Sequence, residues 1–207
     1  DYDNDLDIDF LVTNIKQNSF FINELDSQEE FINLSEEVNI YDTNWAWGAI
    51  FTDFNHDLFE DLYIANGFLF DEKNEYFENI FTLEGRKFQH ADFTDEPITA
   101  TNSRSVNSFD YDNDGDLDLI VSNTNSSLDF YENKSIDTYF TNETSGTWLK
   151  IHLEGTISNR DGLGAIITIE DANNYQQTRL YNGSGFQHQS LQSLHFGLNN
   201  AALVNSI

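Results

Sequence analysis

Three acidic segments of 14 residues recur along the chain and align without a gap. They read DYDNDLDIDFLVTN from Asp1, DFNHDLFEDLYIAN from Asp53 and DYDNDGDLDLIVSN from Asp110. Each copy has Asp at its first, fifth and ninth positions, Asp or Asn at the third, an apolar run at the tenth to twelfth, and Asn at the last. A pattern of this length, present three times, indicates an internal structural repeat.

A second element follows each acidic segment and consists of two aromatic residues, one variable residue and Asn. Its copies are residues 20–23, 76–79 and 130–133. Successive acidic segments begin 52 and 57 residues apart. This spacing is near the length of a four-stranded propeller blade and exceeds that of leucine-rich or helical repeats. The repeat therefore predicts β-propeller blades.

Short apolar, partly β-branched runs close the acidic segments at residues 10–12, 62–64 and 119–121. Such runs predict strands that are covered on both faces. Two interpretations stay open for residues 27–38. They form either part of the blade or a short helix, with Phe31, Leu34 and Val38 near one helical face and Ser27 as its N-cap.

The third acidic segment has the ligand spacing that calcium needs. Ca²⁺ takes about six to eight oxygens, and alternate acidic residues in a tight loop direct several carboxylates at one centre. Asp110, Asp112 and Asp114 would donate side chains, Asp116 its backbone carbonyl, and Asp118 a closing carboxylate. Without a cation these carboxylates would repel each other, which favours a calcium loop over a solvated acidic turn. An EF-hand is excluded because all three copies have an apolar residue where that loop requires a bidentate Glu.

The first two copies depart from the third at positions that matter physically. Leu6 and Leu58 stand where the third copy has Gly115, and Asn55 replaces one carboxylate of the second copy. If the backbone there is left-handed, a Leu costs on the order of 1 kcal/mol or more. We therefore expect calcium affinity to fall from the third loop to the first and then to the second.

Composition restricts the partners. The chain has 37 acidic against 9 basic residues and a net charge of −28, which would repel nucleic acids and anionic membrane surfaces. It is 39% hydrophobic and 14% aromatic, so it has enough apolar material for a folded core. It has no Cys, which excludes disulfides and thiolate chemistry. No stretch approaches the roughly 20 apolar residues of a membrane span.

The pattern D-x-D-x-D-G-x-x-D, followed by an apolar strand, resembles the FG-GAP or VCBS repeats of integrin-α-like β-propellers. Trp47 and Gly48 before the second segment, and residues 104–109 before the third, are similar to the blade entry of that family. The resemblance covers residues 1–140 and implies calcium at matched positions of every copy. Those positions are Asp1, Asp3, Asp5, Asp7 and Asp9, then Asp53, Asn55, Asp57, Phe59 and Asp61, and finally Asp110, Asp112, Asp114, Asp116 and Asp118.

The pattern changes at Thr147. The runs TWLKIHLEGTISNRDGLGAIITI and YNGSGFQHQSLQSLHFGL resemble the ASPIC/UnbV domain that follows such repeats in cartilage-acidic-protein-like proteins. Alternating apolar residues in both halves of residues 147–207 independently predict strands with one buried face. We expect a small β-sandwich-like domain here. The resemblance implies a further strand beyond Ile207, and three blades do not close a propeller, which takes about four to eight.

For each candidate catalytic residue, the sequence supports a structural interpretation better than a catalytic one. The five His residues, His56, His90, His152, His188 and His195, form no pair at helical spacing and no zinc motif. Residues 182–185, which contain Ser184, lack the spacing of a nucleophile elbow and predict a tight turn. Residues 158–162 form either a ligand-reading loop with Arg160 and Asp161 or a braced turn.

Glycosylation triplets are little above chance for an Asn-rich chain and matter only in a eukaryotic host. They begin at Asn33, Asn125, Asn133, Asn142 and Asn182.

The sequence thus predicts an all-β protein, a partial β-propeller of about three blades followed by a small β domain. We expect it to bind structural calcium and to act as an adhesion or ligand-binding scaffold for an extracellular protein or glycan. It would work outside the cell or at its surface, including the periplasm or outer-membrane surface of a bacterium, and would not be an enzyme. The alternative is an accessory or binding part of a secreted polysaccharide-active enzyme, which a pair of carboxylates in a cleft away from the calcium loops would favour.

Overall fold

The computed structural model describes residues 1–68, 72–93, 102–134, 146–157, 159–182, 184–189 and 193–207. These residues form strands and loops, as the all-β prediction requires. No helix in these ranges has the length and hydrophobicity to cross a membrane. The strands are β1 (Phe10–Val12), β2 (Ser19–Glu24), β3 (Glu30–Asn33), β4 (Ala46–Thr52), β5 (Asp61–Asn66), β6 (Glu75–Thr82), β7 (Gly85–Ala91), β8 (Ser103–Phe109), β9 (Asp118–Asn123), β10 (Asp129–Tyr131), β11 (Trp148–Ile151), β12 (Ile166–Asp171), β13 (Gln176–Leu180), β14 (Ser184–Gly185), β15 (His188–Gln189), β16 (Leu194–Gly197) and β17 (Val204–Ser206).

The repeat forms three antiparallel sheets with strand orders β1-β2-β3, β4-β5-β6-β7 and β10-β9-β8. The second sheet is a four-stranded meander, the topology of a propeller blade. Strands β1, β5 and β9 each follow an acidic segment, and β2, β6 and β10 carry the aromatic element. The three sheets therefore agree with the predicted blades.

The second sheet packs between the other two. All six residues of β5 are buried, and they alternate between the two faces of the sheet. Leu62 and Ile64 join a core with Phe20 on the side of the first sheet, whereas Tyr63 and Ala65 join the core on the side of the third. Burial on both faces explains the continuous apolar run that predicted this strand.

The first apolar run differs from the prediction. It forms β1, but Phe10 and Val12 are 41% and 50% exposed rather than covered on both faces. Within the described part of the chain, β1 pairs with β2 alone. Leu11 packs against the first core, whereas Phe10 and Val12 lie on the opposite face of the strand and stay exposed.

The helix considered for residues 27–38 is wrong. Residues 30–33 form β3, which pairs with β2 in the register Phe21↔Asn33 to Glu24↔Glu30. A single turn follows, closed by the Val38 N–H donating to the Leu34 carbonyl at 2.9 Å. The side chain of Ser27 bonds Glu24 instead of capping a helix. Pairing with β2 satisfies more backbone groups here than one helical turn would.

Strands β11 to β17 form the C-terminal unit. Its sheets β11-β16 and β13-β12-β17 enclose a third core that includes Ile167, Ile169 and Phe196. Leu149 and Ile151 pack against this core, as the alternation predicts. The opposite face of β11, which carries Trp148 and Lys150, points towards the repeat.

Candidate metal centres

The first, second and third loops are residues 1–9, 53–61 and 110–118. The second connects β4 to β5 and the third connects β8 to β9, while the first leads into β1. Each loop therefore lies at the same end of its sheet. A left-handed residue stands at the sixth position of every loop, with φ of 79° at Leu6, 87° at Leu58 and 101° at Gly115. The backbone at Leu6 and Leu58 is therefore left-handed, which is the condition for the strain predicted at both leucines.

The ninth residue of each loop is a carboxylate that ties the loop to its sheet. One of its oxygens accepts the N–H of the loop's second residue, and the other accepts the N–H of the Asn that ends the aromatic element. The donors are Tyr2 and Asn23 for Asp9 (2.7 and 2.9 Å), Phe54 and Asn79 for Asp61 (3.2 and 3.0 Å), and Tyr111 and Asn133 for Asp118 (2.9 and 2.9 Å).

This role was not predicted, since the sequence suggested only that the three carboxylates close a metal site. A carboxylate oxygen has two acceptor positions, so these bonds leave room for a cation at Asp9 and Asp118, whereas Oδ2 of Asp61 also accepts the Tyr76 hydroxyl at 3.0 Å. The alignment showed that the Asn of the aromatic element is repeated, and its N–H bond to the ninth carboxylate explains why.

The same Asn also connects neighbouring repeats. The side-chain amide of Asn79 donates to the carbonyl of Tyr2 at 2.9 Å, and that of Asn133 donates to the carbonyl of Phe54 at 2.9 Å. Each acceptor is the second residue of the preceding loop. Both Asn residues are buried. The loops are therefore linked in series through buried hydrogen bonds.

The third loop brings Asp110, Asp112 and Asp114 together, with carboxylate oxygens within 4.8 Å of one another. The Asp110 side chain is fully buried, and its Oδ1 has no hydrogen-bond partner. Asp114 donates its N–H to Asp112, and Asp116 donates its N–H to Asp114, which holds the loop in a tight coil. Converging carboxylates with a buried, unpartnered oxygen are the donor set that Ca²⁺ prefers.

The electrostatics of the third loop also fit a cation. Burial raises the pKa of Asp114, and the neighbouring carboxylates add to the shift, although the Asp116 N–H opposes it. Burial likewise raises the pKa of Asp118. Both shifts mainly express the cost of burying a carboxylate charge, to which the neighbouring carboxylates add, and a bound divalent ion would offset that cost.

The first loop brings together Asp1, Asp3 and Asp9, again within 4.8 Å. Both carboxylate oxygens of Asp1 and one of Asp3 are buried without a partner. Burial, followed by the charges of Asp5 and Asp9, raises the pKa of Asp7 to about 6. Asp5 and Asp7 lie outside the converging group. Its third carboxylate is the ninth residue of the loop, Asp9, whereas in the third loop it is the fifth residue, Asp114.

The second loop is closed by its own backbone. The two oxygens of Asp53 accept the N–H groups of Asp57 and Leu58 at 3.0 and 3.1 Å. Asp57 accepts the N–H of Phe59 at 3.0 Å, and Asn55 accepts that of Asp57. No group of three acidic side chains converges in this loop, whose residues are all described.

Two arginines lie beside the second loop. Arg179 Nε forms a 3.0 Å ion pair with Glu60, and the Arg86 guanidinium stacks 3.1 Å from the Phe59 ring centroid. Burial raises the pKa of Asp53, while the charge of Arg179 lowers it in part. The second loop therefore receives positive charge from the fold, and calcium at its predicted ligands stays a prediction.

The C-terminal unit contacts the second and third loops through one face of β11-β16. A Cβ at Gly115 would overlap the Trp148 indole, and a Cβ at Gly197 would overlap Asp53. A glycine is thus required at position 115 for two reasons, its positive φ and the close approach of Trp148. Lys150 Nζ lies 2.5 Å from Asp110 Oδ2.

Two histidines meet at this contact although no sequence pattern joins them. The rings of His56 and His195 lie 5.2 Å apart between centroids, and His195 stacks on Trp148 at 5.8 Å. Burial lowers the pKa of His56 to about 4 and that of His195 to about 3, so both are neutral at physiological pH. They pack in the interface between the C-terminal unit and the loops.

Residues 155–207 match the family model described as ASPIC and UnbV. The match covers about a quarter of the chain and supports the predicted ASPIC/UnbV domain at its C-terminal end. No curated protein matches the chain. The FG-GAP or VCBS interpretation of residues 1–140 stays a prediction that rests on the repeat.

Of the remaining candidates in the ASPIC/UnbV segment, Arg160 and Asp161 are exposed. The tight turn expected at residues 182–185 lies instead at residues 186–187, between β14 and β15, because Ser184 and Gly185 pair with Gln189 and His188. Residue 183, the side chain of Ser184, residue 158 and the triplet at residue 142 lie outside the described parts. Asn159 braces its loop by bonds to the backbone of Leu163.

The described regions include two sizeable clefts. One, of about 450 Å³, lies between β4, β8 and the C-terminal unit, and its carboxylates are Asp1, Asp9, Asp53 and Glu60. All of these belong to the first and second loops. The other, of about 360 Å³, is lined by His152, Leu153, Glu154, Arg160 and Asp161. Its polar side chains are exposed.

Proposed function

We propose that the protein is a calcium-binding repeat protein and that its calcium is structural. The observation that carries the proposal is the third loop, where the carboxylates of Asp110, Asp112 and Asp114 lie together and Oδ1 of Asp110 is buried without a partner. Hydrogen bonds of the fold position this donor set, and hard oxygen donors in this number suit calcium. Calcium bound there would neutralise carboxylates that otherwise repel each other.

A structural role follows from where the loops lie. The third loop contacts the second repeat through Asn133, and it contacts the C-terminal unit through Gly115 and Lys150. An ion in this loop would therefore stiffen the junction between two blades. An ion that binds only the folded chain stabilises it by mass action.

We further propose that the protein serves as an adhesion or ligand-binding scaffold outside the cell or at its surface. We expect weak calcium affinity of these loops, and extracellular modules fill at about 10⁻⁴ to 10⁻³ M calcium. The net charge of −28 favours a protein or glycan partner over nucleic acid or an anionic membrane. The proposal includes no catalytic activity.

The alternative function is a binding part of a polysaccharide-active enzyme, and the smaller cleft is the observation that favours it. Glu154 and Asp161 line this cleft away from the calcium loops, together with Arg160. Their exposure suits sugar binding better than acid catalysis, since a general acid needs a buried carboxyl with a raised pKa. Glycan binding lost in Asp161→Asn would support this role, and turnover lost in the same variant would support an enzyme.

Isothermal titration of metal-stripped protein with Ca²⁺ tests the main proposal, with Mg²⁺ as the control ion. We expect calcium uptake with loss of the tightest site in Asp114→Asn, and weaker uptake of Mg²⁺, which resists dehydration and demands a stricter geometry. Uptake that is unchanged in Asp114→Asn would exclude the third loop as the site.

A further inference from the structure

The C-terminal unit places a positive charge on the third loop. Lys150 Nζ lies 2.5 Å from Asp110 Oδ2, while the other oxygen of that carboxylate is buried and unpartnered. The Asp110 side chain is 0% exposed and that of Lys150 is 29% exposed, so the pair is shielded from solvent on the Asp110 side. Screening by solvent is weak for such a pair.

The fold fixes the position of this lysine. Lys150 pairs with His195 across β11-β16, and Trp148 stands two residues earlier on the same face. The ammonium lies 5.1 Å from the centroid of the Trp148 ring, which itself rests on Gly115 of the loop. Lys150 is therefore held over the acidic cluster by a strand and an aromatic neighbour, and cannot be regarded as a free surface lysine.

We infer that Lys150 is an intramolecular competitor of calcium at the third loop, which lowers the calcium affinity of that loop and links it to the docking of the C-terminal unit. The inference rests on the proposed calcium binding of this loop. Asp110 belongs to both the ion pair and the carboxylate cluster, so a Ca²⁺ ion bound by that cluster would lie close to the ammonium. Like charges at such a distance repel each other, and the ion and the lysine compete for the charge of one carboxylate.

Linkage makes the effect reciprocal. If the Lys150 contact weakens calcium binding, calcium binding weakens the Lys150 contact by the same factor. The C-terminal unit would remain docked through the Trp148 contact with Gly115 and the Gly197 contact with Asp53. Calcium would thus loosen one of several contacts between the unit and the repeat.

The first loop provides an internal comparison. Among the described side chains, no Lys or Arg forms an ion pair with Asp1, Asp3, Asp5, Asp7 or Asp9. Removing Lys150 should therefore change one calcium site and leave the other as it was. A general change in net charge would act on both.

Calcium titration calorimetry of the full chain tests the inference with Lys150→Met, Lys150→Gln and Lys150→Arg. We expect the affinity of the third loop, identified by its loss in Asp114→Asn, to rise at least about tenfold in the Met and Gln variants and to change little in the Arg variant. Lys87→Met is the matched control, because Lys87 pairs with exposed Glu84 and its removal changes the net charge equally.

Thermal unfolding supplies a second measurement, which distinguishes a lysine that competes with calcium from one that only stabilises the fold. Without calcium, Lys150→Met should melt below the unaltered protein, because Asp110 loses its partner. With calcium the gain in melting temperature should be larger in the variant. An unchanged or weakened third site in both neutral variants would overturn the inference while leaving calcium binding intact, and a failure of the unaltered protein to bind calcium would overturn both.

Discussion

Asn133→Ala is expected to destabilise the repeat strongly, because the Asn133 amide links two loops. It donates to the carbonyl of Phe54 in the second loop at 2.9 Å and to that of Leu117 in the third at 3.2 Å. The side chain is buried, so water does not replace it. Two lost hydrogen bonds at about 1 kcal/mol each, and two carbonyls short of a donor, give a loss of about 2–4 kcal/mol.

For a chain of this size, 1 kcal/mol shifts the melting temperature by about 2–4 °C, so the expected decrease is roughly 5–15 °C. The matched control is Asn23→Ala, the same repeat position in the first sheet. Asn23 is half-buried, and its side chain accepts only the N–H of Leu25 within the described part of the chain. Circular dichroism melts of both variants, with calcium and with chelator, measure the difference. Equal decreases in the two variants would refute the idea that this Asn links the loops.

Two further predictions concern the loops and the pH dependence of stability. Asp114→Ala should remove several times more calcium-dependent stability than Asp57→Ala, because Asp114 belongs to a group of three converging carboxylates and Asp57 does not. Calorimetric titration of both variants decides the order, and loss of the tightest site in Asp57→Ala would contradict it. Burial raises the pKa of Glu75 from 4.5 to about 7, so the folded state binds its proton more tightly than the unfolded chain and stability should fall as the pH rises through this interval. Glu75→Gln should therefore be more stable than the unaltered protein at about pH 8, by on the order of 1 kcal/mol, and no more stable below about pH 4.5. Urea unfolding across this range tests the prediction, and parallel curves of stability against pH for the two proteins would contradict it.

Local patterns predicted the strands well where burial is two-sided. The runs at residues 62–64 and 119–121 predict strands covered on both faces, and both form strands, β5 and β9. All of β5 is buried, whereas in β9 Leu119 and Val121 are buried and Ile120 is half-buried. The same pattern misled at residues 10–12, because the exposure of β1 depends on its neighbours and not on its own residues. Residues 27–38 have apolar side chains at helical spacing, but pairing with β2 determined their structure.

The acidic loops were predictable as a class, whereas their individual geometry was not. Spacing brought Asp110, Asp112 and Asp114 together, as expected. In the second loop the backbone N–H groups of Asp57 and Leu58 occupy the oxygens of Asp53, which depends on the loop's conformation. Spacing alone does not distinguish a carboxylate that faces a cation from one that closes a turn.

Contacts between distant parts of the chain were beyond the sequence patterns. His56 meets His195, and Lys150 meets Asp110, only because β11-β16 docks on the loops. The alternation in β11 predicted which face is buried in its own core, with Leu149 and Ile151 inside. It left open what the opposite face would contact.

Scanning calorimetry in calcium and in chelator is the most direct test of structural calcium. At about 10 mM Ca²⁺, which is ten- to a hundredfold above a Kd of roughly 10⁻³ to 10⁻⁴ M, each filled site should add about 1.4–2.7 kcal/mol to the free energy of unfolding. The melting temperature should then rise by roughly 3–10 °C for one site, and the part of the rise that the third loop contributes should vanish in Asp114→Asn. Identical melting in calcium and chelator would contradict the account and leave the three loops as acidic turns that the backbone alone holds closed.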